Sequence, residues 1–241
     1  MDARKAFDLH FVLPKRDTLL AGFDEVGRGP LAGPVVGVCA IIAFEKINEL
    51  KNSLKQLVVL GADDSKKLSA KSRARFCQSL GINVDQIGPG SVFQGNISQL
   101  WLCLSEVSEK VIDRINILEA SHLCLKKSFK IIKNQLEKSL NIFQGSILVD
   151  GIDAPKLYGK TEQIRMYPII KGDTKSVIIG TASIIAKEYR DLLATSWEKQ
   201  YPGYGFATHK GYPTKRHQEA IERLGPLPIH RQSFKGVKEY V

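Results

Sequence analysis

Apolar positions along the chain repeat with two different periods. Residues 18–23 (TLLAGF) and 35–44 (VVGVCAIIAF) are short, nearly unbroken apolar runs, as in strands covered on both faces. The short connection between them predicts an antiparallel pair. Residues 101–107 (WLCLSEV), 146–149 (SILV) and 164–170 predict further strands. Elsewhere the period is helical. Leu118, Leu125, Phe129, Ile132 and Leu136 share one face of a helix over 116–136, and Lys126, Lys127, Lys130 and Lys133 fall mostly off it. Ala182, Ile185, Ala186, Tyr189, Leu193 and Trp197 predict a second amphipathic helix over 181–197, with Lys187, Glu188 and Arg190 on its exposed face. Ser69 as N-cap and Gly81 as stop bracket a helix through Leu80. After Tyr201 the chain turns rich in Gly, Pro, His, Lys and Arg, with one helix over 215–224. The expectation is one mixed α/β domain with a small basic C-terminal appendage.

A chain of 241 residues is long enough for that arrangement. No apolar run reaches the roughly 18 residues that cross a bilayer. Residues 1–16 lack a signal-peptide core. A cytoplasmic protein with no membrane partner is expected. Cys39, Cys77, Cys103 and Cys124 form no C-x-x-C pair and read as buried free thiols of a reducing compartment. Charge narrows the picture further. Lys and Arg number 35 against 25 Asp and Glu, a net +10 that favours polyanionic partners.

Within this basic chain, acids recur at strand ends beside glycine. Asp24-Glu25 ends an apolar run before Gly27, Asp150 ends one before Gly151, and Asp173 follows one and Gly172. Such side chains stand at the rim of a sheet, open to a ligand. Each can also be a simple turn residue. Gathered together, they would repel unless a cation lay among them. Oxygen donors without His or Cys point to a hard ion, Mg²⁺ or Mn²⁺. Adjacent residues of a regular strand face opposite sides, so Asp24 and Glu25 converge only if the strand ends or bulges there.

Three other segments carry polar chemistry. Gly27 to Gly33 reads GRGPLAG, which has the wrong spacing for a dinucleotide fingerprint and is followed by a strand instead of a helix. It is either a hairpin connection or a backbone platform that a ligand can approach closely. DDSKKLS places Ser65, Lys66 and Lys67 just before a helix, where phosphate or a plain capped loop are both accommodated. HKGYPTKRH sets Tyr212 in a basic loop, where it stacks on a sugar or base, or packs on its own loop.

Taken together, AGFDEVGRGPLAGPVV, DDSKKLS, ILVDG, IIKGD, ASIIAKEYRD, GYGFATHKGYPTKRH and PIHRQSF resemble the ribonuclease HII family, in order, from about Thr18 to Val237. One departure is GTAS at 180–183, where that family more often has AAAS. The resemblance implies an RNase H-like mixed five-stranded sheet flanked by helices. It divides the chain into an N-terminal segment (1–17), a catalytic domain (18–200) and a helical, substrate-contacting extension (201–241). It implies an endoribonuclease acting on RNA–DNA hybrids and on the 5′ side of single ribonucleotides in duplex DNA. Two Mg²⁺ or Mn²⁺ ions would serve hydrolysis, leaving a 3′-hydroxyl and a 5′-phosphate. By motif, Asp24, Glu25, Asp150 and Asp173 are the catalytic and metal-binding acids. Gly27, Arg28 and Gly29 read the ribose 2′-OH, Ser65, Lys66 and Lys67 meet phosphate, and Tyr212 packs on the neighbouring deoxyribose. His209, His217 and His230 support the loop or contact phosphate. A monomer is expected, and a sliding-clamp contact is left open. A non-catalytic nucleic-acid binder would account for the charge and the tail, but not for the acidic strand ends.

Overall fold

The computed structural model describes residues 2–137, 144–155 and 163–241. In chain order the elements are α1 (Ala3–His10), β1 (Leu19–Val26), β2 (Val35–Ala43), α2 (Ile47–Leu60), α3 (Ala70–Ser79), β3 (Val92–Gln94), β4 (Leu100–Val107) and α4 (Glu109–Ile115). Then follow α5 (Ile117–Leu136), β5 (Gly145–Asp150), β6 (Ile164–Ile169), α6 (Gly172–Lys175), α7 (Val177–Gln200), α8 (Phe206–His209) and α9 (Lys215–Leu224). The strands form one sheet in the order β3-β4-β2-β1-β5-β6. β1 runs antiparallel to β2 and parallel to β5, and β5 runs parallel to β6. The sheet therefore has six strands where five were expected. The additional one, β3, is a three-residue edge strand too short to leave an alternation in the sequence.

Alternation along β1 splits the core in two. Leu20 faces one side with Val36, Val38, Ile178, Ile179 and Ala182. Leu19, Ala21 and Phe23 face the other with Cys39, Cys124, Leu125 and Phe129. α7 thus covers one face of the sheet and α5 the opposite face. Gly22 lets α7 approach closely, since a Cβ there would lie 2.5 Å from the backbone carbon of Ile178. All four cysteines are buried and unbridged.

The helices refine the expectations at their ends. α5 begins after Asn116, whose side chain accepts the Leu118 and Glu119 N–H groups. Leu118, assigned to its apolar stripe, is 41% exposed in the first turn of α5, where it lines an open cavity instead of the core. α7 starts four residues earlier than expected, capped by Ser176, and ends at Gln200. A third apolar cluster joins Leu31, Ala32, Ala194 and Trp197 to Tyr204, Phe206, Ala220, Ile221 and Val237. The C-terminal residues thereby fold over the end of α7 and the loop that follows β1. No helix among the described residues is long and apolar enough to cross a membrane.

Candidate active site

Three neighbouring parallel strands deliver the acids to one edge of the sheet. Asp24 and Glu25 lie on β1 just past its last pairing with β5, Phe23 with Val149. Asp150 ends β5, and Asp173 lies in α6, four residues beyond the end of β6. β1 stays regular through Val26, with Asp24 opposite Val38 and Glu25 opposite Gly37. The strand end or bulge that convergence would require is absent, so the two acids point to opposite faces at the rim. Asp24 is buried on the α7 side, and its Oδ1 accepts the Glu25 N–H at 2.7 Å. Glu25 opens into a cavity of about 300 Å³ that Asp150, Arg28 and His122 also line. Arg28 Nη1 donates to Glu25 Oε1 at 3.3 Å. Asp150 Oδ1 accepts the Gly172 N–H at 2.6 Å, and Lys66 Nζ donates to Asp173 Oδ2 at 3.0 Å.

Burial raises the pKa of Asp24, and the charges of Glu25 and Asp150 push it further, well above the carboxylate range. Burial takes Glu25 to about 7 against the pull of Arg28. Asp150 is raised by burial and then by Asp173. Among the described residues no three acidic, His or Cys groups stand close enough to form a finished metal cage. The donors are all oxygen, and they repel one another across one rim. One of them already holds an ammonium group. Such a set fits a hard divalent cation.

Beyond Glu25 the chain turns at Gly27, whose φ is +95°. A Cβ there would stand 2.9 Å from Arg190 Nε and 3.0 Å from the Pro34 carbonyl. Arg231 is fully buried beneath the turn. Its Nε donates to Gly33 O at 2.9 Å, Nη1 to Arg28 O at 3.0 Å and Nη2 to Gly27 O at 2.5 Å. Arg190, expected on the exposed face of its helix, is instead 2% exposed and donates from Nη2 to Ala32 O at 2.8 Å. It stacks over Trp197 at 4.7 Å, which offsets part of the cost of burying the charge. Neither arginine was read from the sequence as part of the site. Both lie inside recognisable motifs, ASIIAKEYRD and PIHRQSF.

Arg28 and Gly29 are exposed on top of this buried support. Gly29 lies under the ring of Tyr212, where a Cβ would meet Cε1 at 3.4 Å. Tyr212 itself is 42% exposed. The Leu31 N–H donates to Gly211 O at 2.7 Å, tying the two loops together. Ser65 is buried, with its Oγ 2.9 Å from Ser183 Oγ. Lys66 and Lys67 are exposed, two to three residues before the N-cap Ser69. His209, His217 and His230 are all buried, so the alternative of phosphate contact is excluded for them, and support of the loop remains.

A family model described as Ribonuclease HII matches residues 21–237. The chain is 39% identical over 232 residues to a ribonuclease HII of Staphylococcus epidermidis, covering 96% of this chain and 75% of that protein. Its structure is similar to that of a ribonuclease H2 from Pyrococcus horikoshii, with a TM-score of 0.62 at 25% identity, covering 92% of this chain and 96% of that one. It also shares the fold of a ribonuclease HIII described in complex with Mn²⁺, with a TM-score of 0.63 at 17% identity, covering 94% of this chain and 70% of that one.

Proposed function

The chain belongs to the ribonuclease HII family, and from that membership we propose that it is an endoribonuclease that cuts the RNA strand of RNA–DNA hybrids and the 5′ side of single ribonucleotides in duplex DNA. One observation carries the reading. The acidic rim at Asp24 and Glu25 runs within two residues into a loop whose carbonyls are pinned from beneath by Arg231. A phosphate at the rim therefore has its ribose at the loop.

Asp24, Glu25, Asp150 and Asp173 are the groups that would hold Mg²⁺ or Mn²⁺. When bound, such ions lower the pKa of a water and offset charge building up on a phosphodiester. Hydrolysis joins the water oxygen to phosphorus and breaks the bond to the 3′-oxygen, which takes up a proton. The ribonucleotide keeps the 5′-phosphate. Its own 2′-OH neighbours the next phosphate, on the 3′ side of the ribose, and not the scissile one, so it is read and does not attack.

Gly27, Arg28 and Gly29 present backbone to that hydroxyl, and the exposed Gly29 has no side chain of its own to crowd the approach. A site built to bond a hydroxyl rejects the sugar that lacks it, because its own polar groups are then left unpaired. The Tyr212 ring packs on the next sugar, where a 2′-OH would crowd it. Lys66 and Lys67 meet flanking phosphates, and the buried Ser65, paired with Ser183, supports their loop from beneath. The test is cleavage of a duplex carrying one ribonucleotide, with Mg²⁺ or Mn²⁺ and with each omitted. A metal-dependent cut 5′ to the ribonucleotide, and none in all-DNA duplex, is expected. Equal cutting of the all-DNA duplex would overturn the reading.

A further inference from the structure

The tail buries three histidines around the loop that carries Tyr212. Their hydrogen bonds have a single consistent direction. The Leu227 N–H donates to His230 Nδ1 at 2.7 Å, so that nitrogen is bare and a neutral His230 carries its proton on Nε2. His230 Nε2 lies 3.1 Å from His217 Nε2, which must then accept. His217 therefore carries its proton on Nδ1, and Nδ1 lies 3.0 Å from the carbonyl oxygen of Tyr212. Every step pairs a donor with an acceptor. A proton added to His217 would set two N–H groups against each other.

The neighbouring peptide is held in the same manner. The Gly211 N–H donates to His209 Nδ1 at 3.1 Å, and His209 Nε2 bonds Tyr204 O at 2.8 Å. The Tyr212 N–H donates to His209 O at 2.9 Å, and Gly211 O accepts from Leu31. The backbone that carries the Tyr212 ring is thus fixed at both peptides, and the ring projects over Gly29.

We propose that His230 and His217 form a one-way hydrogen-bonded relay that positions Tyr212, and that this relay sets the preference for an RNA-to-DNA junction. The second half rests on the reading of Tyr212 given above. Burial supports the relay by keeping both rings neutral, pushing each pKa down to about 4. The His209 ring, stacked on His217 at 4.2 Å, acts in the same direction. The charged groups nearest the cluster, Arg216 and Glu198, act on His209. His217 and His230 are positioning residues, since neither reaches the surface.

Long-range ¹H–¹⁵N NMR of the free, full-length protein at neutral pH reads the tautomers directly. The expected result is a proton on Nδ1 of His217 and on Nε2 of His209 and His230. A proton on Nε2 of His217 overturns the relay whatever the enzyme's activity. Two variants then separate positioning from packing. In His217→Asn the amide N–H₂ stands near the place of Nδ1 and keeps the donor to Tyr212. In His217→Gln the amide stands near Nε2 and the donor is lost. The readout is the ratio of kcat/KM on a single-ribonucleotide duplex to kcat/KM on a long hybrid. The Gln variant should lower that ratio about 10-fold, the loss of one hydrogen bond, while the Asn variant stays near the wild type. Equal ratios for the two variants overturn the proposal. If the Gln variant fails to fold, the tautomers still decide. Tyr212→Ala with an unchanged ratio, together with the expected tautomers, overturns the junction role and the reading beneath it, but leaves the relay standing.

Discussion

Asp24 and Asp150 are held at a cost, because burial and neighbouring charge both oppose their ionisation. Asp24→Asn and Asp150→Asn should therefore raise the stability of the metal-free protein, while cutting activity about 10³-fold. Denaturant melts in a chelator, set beside rates in Mg²⁺, check both halves. A variant that is destabilised and fully active refutes the site. Arg231 has the opposite character, since its guanidinium fork satisfies three carbonyls at once and a lysine reaches fewer. Arg231→Lys should lower the rate on a single-ribonucleotide duplex by 10- to 100-fold, by leaving buried carbonyls unpaired, at about 1–3 kcal/mol each. Metal affinity, followed by Mn²⁺ titration, should hold. The acids were legible as candidates because they recur beside glycine at the ends of apolar runs, though each alone also suits a turn and only the motif resemblance joined them. Arg231 was not. A basic residue in a polar, proline-rich tail reads as solvated, and only the fold reveals the carbonyls above it.

At the scale of elements, β1, β2, β5 and α5 were legible from periodicity, and Ser69 caps its helix as expected, whereas Asn116, read as the first residue of α5, is its cap. α1, α2 and α4 were not read. α1 packs against α2, α6 and α7. Its role lies in Asp8, a fully buried residue whose Oδ2 accepts the Val177 and Ile178 N–H groups at 2.8 and 3.2 Å. Asp8 thus caps the start of α7 from another helix, a bond no local motif announces. Burial raises its pKa to about 7, against hydrogen bonds that lower it. A carboxyl whose pKa is higher folded than unfolded gives its full stability only below its unfolded value, near 4. That stability is lost as pH rises toward 7. Asp8→Asn keeps the acceptor and removes the titration. Its stability relative to the wild type should climb by a few kcal/mol between pH 4 and pH 7, then level off. Urea melts of the two proteins across that range measure the difference, and a flat difference removes Asp8 from the pH dependence.

At the scale of the molecule, two fields oppose each other. The chain carries a net +10, yet four acids gather at the rim where the proposed function brings phosphate. The wider charge has to bring a polyanion to a rim that repels it, and the cations closest to that rim govern the approach. Lys66 is among them. Its ammonium lies on Asp173, with the side chain still 78% exposed, so it can turn toward a passing phosphate. Lys67 is exposed beside it. Each duplex phosphate neutralised steepens the log–log dependence of affinity on salt by about 0.9. Binding is best measured in the Asp24→Asn background, where turnover does not consume the substrate. Adding Lys66→Ala and Lys67→Ala there should flatten the slope by up to about 2. The same pair in the wild-type background should slow cleavage at moderate salt without moving the cut, because the two lysines carry no information about sugar or base. An unchanged slope would take this segment out of the interface and leave Lys66 as a partner of Asp173 alone. A shifted cut would mean that the segment reads the sugar as well as the phosphate.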